Sequence, residues 1–478
     1  MNSIGLTRRT LLKSTAGLAV AGTMGAPAIV RAQADVIRVG HLTPRTGFLG
    51  PLGEYGVMGV TLAVEEVNAT GGVLGRKIEL LAEDSVNPST AATKAERMIE
   101  REKVAAILGE ISSASGLSIS QVAGRNKTLF IQTGCNSDEL RGKSCNRYMF
   151  HIEGSNTAYV KAVGQALLRD GMVKGKKWFG LTADYAFGHD LLRVTKKFAE
   201  DNGGSFAGSE LVPTDASDFS PFILKIRQAK PDLVVSNLAG NQITNFIKQY
   251  NEYGLPFPIA GGGFDTAAAW GAGTDAFAGT WPCIWHHTVK SPSAQKFTEA
   301  FTKRWGKPPE NQAWGDYMSV KVLAQAMAET KSIESDKLVQ YLESQAKFDV
   351  MKGREGYFRN WDHQLIAEMY TITPKPKAER TGRGWLLSLI SLARTAKICA
   401  LTSRAASLAR NTAIGATLPA SIFCSLATRA CSSGVSDGIE LVIRLQANGA
   451  MQFERTLKRA MSSAIDLDSA AMPSLAAA

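Results

Sequence analysis

Between residues 36 and 263, short apolar runs alternate with longer segments whose apolar residues recur every three or four positions. That rhythm predicts parallel strands covered by helices on both faces. VIRVGHL at 36–42 predicts a strand, and Val57, Val60, Ala63, Val64 and Val67 share one face of a helix stopped by Gly71 and Gly72. KIELLAED at 77–84, a helix through Ala91, Ala95, Met98 and Ile99, VAAILG at 104–109, a helix near 114–125 and TLFIQTG at 128–134 complete a doubly wound lobe. A second set follows with a helix near 157–170, KWFGLTAD at 177–184, a helix at 188–202 and a strand through Glu210, Leu211 and Val212. It continues with a helix at 221–229, the buried strand PDLVVSNLA, a helix at 242–253 and the short PIAGGG. The remaining elements are AGTWPCIWHHT, helices near 293–305, 312–330 and 335–345, and then FDVMKGREGYFR with LIAEMYTIT. They are most simply shared between the two lobes, so the chain crosses from one to the other more than once.

Two parallel sheets meeting at their carboxyl ends leave a cleft lined by loops and helix N-termini, whose backbone N–H groups suit an anionic ligand. Candidate chemistry lies at those strand ends. In GEISSASG at 109–116, Ser112 and Ser113 either cap a helix or offer hydroxyls and amides to a carboxylate. Thr133 and Gly134 end the next strand, and ADYAFGHD at 183–190 brings Tyr185 or Phe187 to the cleft from the other lobe. Gly261, Gly262 and Gly263 are no phosphate loop, because no Gly-Lys-Ser/Thr follows. There is no nucleophile elbow, no metal-ligand spacing and no catalytic constellation, so neither cofactor nor metal is expected.

The ends of the chain differ from this body. Residues 1–34 combine Arg8 and Arg9, a diluted apolar stretch and the close Ala32-Gln33-Ala34, the three parts of a secretory signal peptide. The paired arginines resemble a twin-arginine signal, with an ordinary basic start as the alternative; both imply export to the periplasm. Of the net charge of +11 in 478 residues, the first 34 residues carry +4 and residues 379–478 carry +5, leaving +2 for the body. A nucleic-acid partner is therefore not expected. In an oxidising compartment Cys135 and Cys145 either close a small disulfide loop or remain thiols.

NATGGVLGRKIELLAEDSVNPSTA at 68–91, GEISSAS, DYAFGHD and AWGDYMSVKVLAQAM at 313–327 together resemble the type I periplasmic solute-binding proteins of ABC importers, in particular the branched-chain amino acid (Leu/Ile/Val)-binding group. The resemblance covers about residues 36–378. It implies an α/β, periplasmic binding protein-like type I fold of two Rossmann-like lobes joined by three hinge crossings, near 151–156, 280–288 and 346–358. Lobe 1 would hold about 35–152 plus 286–347, and lobe 2 about 153–283 plus 348–378. In that family a serine at the turn, with the backbone and a hydroxyl after the next strand, holds the ligand carboxylate; the matching positions are Ser113, Gly134 and Asn136. An aromatic matching Phe187 stacks over the ligand. The acid that holds its ammonium falls at Gly263, with Asp265 two residues on, and a further pocket aromatic falls at Ala239. The resulting expectation is a roomier, less cation-selective pocket. The full ligand set is Ser112, Ser113, Thr133, Gly134, Asn136, Asn156, Phe187 and Asp265.

The expected role is a monomeric receptor that captures a branched-chain amino acid or similar small carboxylate and delivers it to the membrane subunits of an ABC permease. Aromatic acids, amides or urea-like solutes are competing ligands, and an exported two-lobed enzyme is the competing class. From Arg380 to Ser436 there is no Asp or Glu, and residues 379–478 have no steady period. They read as a low-complexity, poorly ordered tail, a frameshift or read-through product, with an amphipathic membrane-surface or partner-binding helix at 385–398 as the alternative.

Overall fold

The computed structural model describes residues 36–273 and 275–375 and the backbone of 390–392. The signal peptide expected at 1–34 and all but those three residues of the expected tail lie outside the described residues.

The first sheet is parallel and five-stranded, in the order β2-β1-β3-β4-β5. Its strands are β1 (Ile37–Thr43), β2 (Ile78–Asp84), β3 (Ala106–Gly109), β4 (Leu129–Gln132) and β5 (Met149–His151). The connecting helices are α1 (Gly50–Ala69), α2 (Pro88–Glu100) and α3 (Ser113–Arg125). The second sheet, β7-β6-β8-β9, is also parallel and contains β6 (Lys177–Ala183), β7 (Ser205–Val212), β8 (Leu233–Asn237) and β9 (Ile259–Gly261). α4 (Asn156–Arg169), α5 (Ala186–Asp201), α6 (Ser220–Ala229), α7 (Asn241–Glu252) and α8 (Thr266–Ala272) accompany it. Strands β3, β4 and β8 are buried along their whole length, as apolar runs covered on both faces must be.

The chain passes between the two sheets three times. After β5 it enters α4, which packs on α5; after β10 (Trp281–Cys283) it returns as α9 (Pro292–Trp305) and α10 (Asn311–Thr330) to lie against α1. That packing is close because α1 carries glycines at the contact: a Cβ on Gly59 would stand 2.1 Å from the Ala313 carbonyl oxygen. Tyr55 stacks on Phe301 with ring centroids 6.3 Å apart, and His41 of β1 bonds Asp316 of α10 at 2.8 Å with both side chains fully buried. After α11 (Ser335–Glu343) come the small hairpin of β11 (Tyr357–Phe358) and β12 (Leu365–Ile366), and then β13 (Met369–Ile372), antiparallel to β10. The backbone of β14 (Ile390–Leu392) pairs with β13. Among the described residues no helix is long and apolar enough to cross a membrane.

The expected bond between Cys135 and Cys145 does not form. Cys135 is fully buried beneath the start of α3, where its Sγ donates to the Glu110 and Ser112 carbonyl oxygens at 3.4 Å, and Gly116 packs directly on it. The sulfur is committed to that turn rather than turned toward Cys145.

Candidate functional site

The loops at the carboxyl ends of both sheets converge on one cavity, lined by Ile111, Gly134, Asn136 and Glu153 from the first set and Tyr185, Phe187, Ala239, Gly263 and Asp265 from the second. Tyr159, at the start of α4, and Gln312, at the start of α10, complete the polar lining. The space between atoms is about 430 Å³, of which about 20 Å³ admits the centre of a water molecule. That is room for one or two waters, so the walls are nearly in contact. A shared apolar cluster of Leu49, Leu52, Ile111, Phe187, Leu191 and Ala239 spans the cleft.

The turn after β3 is organised by its own acid. Glu110 has φ of 76° and is fully buried, and its Oε1 accepts from the Ile111 N–H at 3.0 Å and the Ser112 N–H at 2.8 Å. Burial, opposed by those hydrogen bonds, pushes its carboxyl up to about 8. Ser112 is the N-cap of α3, its Oγ accepting from Ser115 N–H. Ser113 Oγ accepts from the Ser137 N–H at 3.2 Å and so ties the turns after β3 and β4 together. Thr133 Oγ1 donates to Asp316 at 3.2 Å and accepts from Gln312 Nε2 at 3.0 Å.

Of the eight expected ligand residues, Gly134, Asn136, Phe187 and Asp265 line the cavity, whereas Ser112, Ser113, Thr133 and Asn156 stand behind it. Asn156 acts on the wall: its Nδ2 donates to the Phe187 carbonyl oxygen at 3.2 Å and to Asp190 at 2.8 Å. It fixes the backbone that carries the aromatic ring.

The roomy pocket expected from the small residues at 239 and 263 is corrected. Both positions do line the cavity, but Phe187 fills the vacated space, its Cζ lying 3.0 Å from where a Cβ on Gly263 would stand. Nor is the acid missing. Glu153, 3% exposed, stands two residues beyond β5 and accepts from Tyr159 OH at 3.1 Å, Asn136 Nδ2 at 3.2 Å and Asn311 Nδ2 at 3.3 Å. Asn311 Nδ2 also donates to Asp265 Oδ1 at 3.1 Å, bridging the two carboxylates across the cleft. Burial, with Asp265 nearby, raises Glu153 to about 7, and burial raises Asp265 to about 6. Sequence reading missed Glu153 because the strand before it has only three residues; its one signal is an acid just beyond a buried apolar MFH.

Residues 36–379 match the family described as periplasmic binding protein. A curated relative, the Leu/Ile/Val-binding protein homolog 7 of Brucella melitensis, is 29% identical over 349 residues, covering 69% of this chain and 86% of the relative. A periplasmic binding protein from Burkholderia mallei has a crystal structure that superposes with a TM-score of 0.69 at 28% identity, covering 75% of this chain and 95% of that one. The crystal structure of a branched-chain amino acid ABC transporter periplasmic ligand-binding protein from Burkholderia xenovorans superposes with a TM-score of 0.64 at 26% identity, over 74% and 95% of the two chains.

Proposed function

This chain belongs to the periplasmic binding protein family over residues 36–379, and on that premise we propose that it is the substrate-binding component of an ABC importer. It captures an amino acid or a similar small organic solute in the cleft between its sheets and presents the closed form to a membrane permease. The observation that carries this reading is the cavity itself, built from the carboxyl ends of both parallel sheets so that one small molecule touches both lobes. Those shared contacts favour a closed arrangement over an open one. The three passages between the sheets, after β5, after β10 and after α11, serve as the hinge. The Leu/Ile/Val-binding name of the Brucella relative and the branched-chain amino acid name of the Burkholderia xenovorans protein support the solute class. Export to the periplasm through residues 1–34 and action as a monomer complete the reading.

The mature chain is expected to bind one solute molecule per protein and to release it chemically unchanged. Thermal shift over amino acids, aromatic acids and short amides finds the solute, because a ligand bound only to the folded state raises its melting temperature. Mass spectrometry of the recovered solute then separates a receptor from an enzyme; conversion of the bound molecule would overturn the proposal.

A further inference from the structure

The cleft presents its ligand with hydrogen-bond acceptors and negative charge. Glu153 and Asp265 both line the cavity, whereas among the described residues no lysine, arginine or histidine does. The donors next to the acids are already used on them: Tyr159 OH and the side-chain amides of Asn136 and Asn311 point to Glu153, and Asn311 reaches Asp265 as well, which leaves the Tyr185 hydroxyl, able to donate or accept, on the opposite wall. Gln312 adds an independent sign. Its side chain is 1% exposed and lines the cavity, its Nε2 is held by Thr133 and by Asp316 at 2.7 Å, and its Oε1 accepts no hydrogen bond from the described residues. Two buried basic side chains lie nearby without joining the lining. Arg141 spends its guanidinium on the carbonyl oxygens of Cys135, Ser137, Glu153 and Gly154 and on Gln364, and Lys352 donates to the Glu368 carbonyl oxygen at 2.6 Å.

A zwitterionic amino acid brings one ammonium with its own carboxylate, and a single acid suffices to receive it. Two acids and a spare amide oxygen facing an apolar wall of Phe187, Leu49 and Leu52 ask for more N–H donors and a further positive charge. Accepting the receptor reading, we infer that the cleft takes a ligand of net positive charge, with more protonated amine or guanidine groups than carboxylates, held through its N–H donors by Glu153, Asp265 and Gln312. A basic amino acid or an alkyl diamine has this chemistry; leucine and benzoate do not.

The test is calorimetric titration of the full mature chain with L-lysine, L-arginine, 1,4-diaminobutane, L-leucine and benzoate. At least one of the three cations is expected to bind more tightly than leucine and benzoate. Glu153→Gln and Asp265→Asn, which keep shape and remove charge, should each weaken that cation at least tenfold while weakening leucine less. Should Glu153→Gln fail to fold, the half-buried Asp265→Asn carries the same comparison, with circular dichroism and the unliganded melting temperature as folding checks. Silence of all three cations, or cation affinity unaltered by both substitutions, overturns the inference. Binding of leucine or benzoate in that case leaves the receptor reading standing, and only chemical turnover of a probe would remove that.

Discussion

The residue with the most unusual position is Glu110, an acid with a left-handed backbone sealed under the turn that leads into α3. Its carboxyl serves the backbone: one oxygen takes two consecutive N–H groups that a helix start would otherwise leave open. Protonation is favoured in the folded chain, where the group lies near 8, over the unfolded chain, where a glutamate titrates near ~4.3. The folded state therefore holds the extra proton between those values, and stability falls as pH rises from about 4.3 through about 8. Glu110→Gln keeps an oxygen for both amides and loses the titration, so its melting temperature should fall less steeply from pH 5 to pH 8 than that of the parent chain, a comparison calorimetry makes directly. Parallel curves would assign the slope to other buried acids such as Glu153. At this scale the sequence was legible where a residue follows a strand in a phrase that declares itself: Gly134 and Asn136 after TLFIQT, Phe187 in DYAFGHD and Asp265 after the glycines. It was opaque where a side chain chooses between neighbours. Ser113 offers the same hydroxyl to a ligand or to the Ser137 amide, and only the packed fold shows the second bond made.

Elements were readable in proportion to length and burial. The fully buried β8 and the long amphipathic α5 and α7 stand out because one period runs through each. The three-residue β5, the seven-residue α8 and the first half of β7 were not anticipated; β7 is an edge strand whose mixed burial leaves no clean alternation. Yet Glu153 lies two residues after β5 and Asp265 is the N-cap of α8, so the least legible elements position the acids of the cleft. The loop between β8 and α7 shows what else an element boundary does. Gly240 has φ of 52° and ψ of −132°, and a Cβ there would stand 2.2 Å from the Phe48 carbonyl oxygen in the loop after β1. Only glycine lets the rims of the cleft touch here. Gly240→Ala should cost roughly 1–2 kcal/mol in backbone strain and hold the rims apart. Ligand affinity is expected to drop tenfold or more, read by calorimetry on protein whose fold is verified by circular dichroism; full affinity would show that this contact plays no part in closure.

Among the described residues, those that line the cavity all fall between Leu49 and Gln312, and the passages between the sheets end before β13, so the cleft lies within the stretch that matches the family. A chain ending at residue 378 is therefore expected to bind the same solute with unchanged affinity, though with a lowered melting temperature where β14 no longer pairs with β13. Loss of binding on that truncation would give the tail a part in the site. The molecule's main motion follows from the cavity's size. Only about 20 Å³ admits the centre of a water molecule, room for one or two waters and not for an amino acid, and the apolar cluster from Leu49 to Ala239 bridges the sheets. A solute cannot enter this arrangement, so binding requires the rims to part and then to close around a molecule that takes up part of the apolar contact. The sheets are rigid layers joined by the three passages, so the change is a rotation about those passages. Small-angle scattering of the mature chain without solute should show a larger radius of gyration than with saturating solute, because the open form lacks the ligand's bridging contacts and is the one that admits it. Equal radii in both conditions, alongside measured binding, would mean that the cleft fills by side-chain rearrangement alone, and the rotation would have to be abandoned.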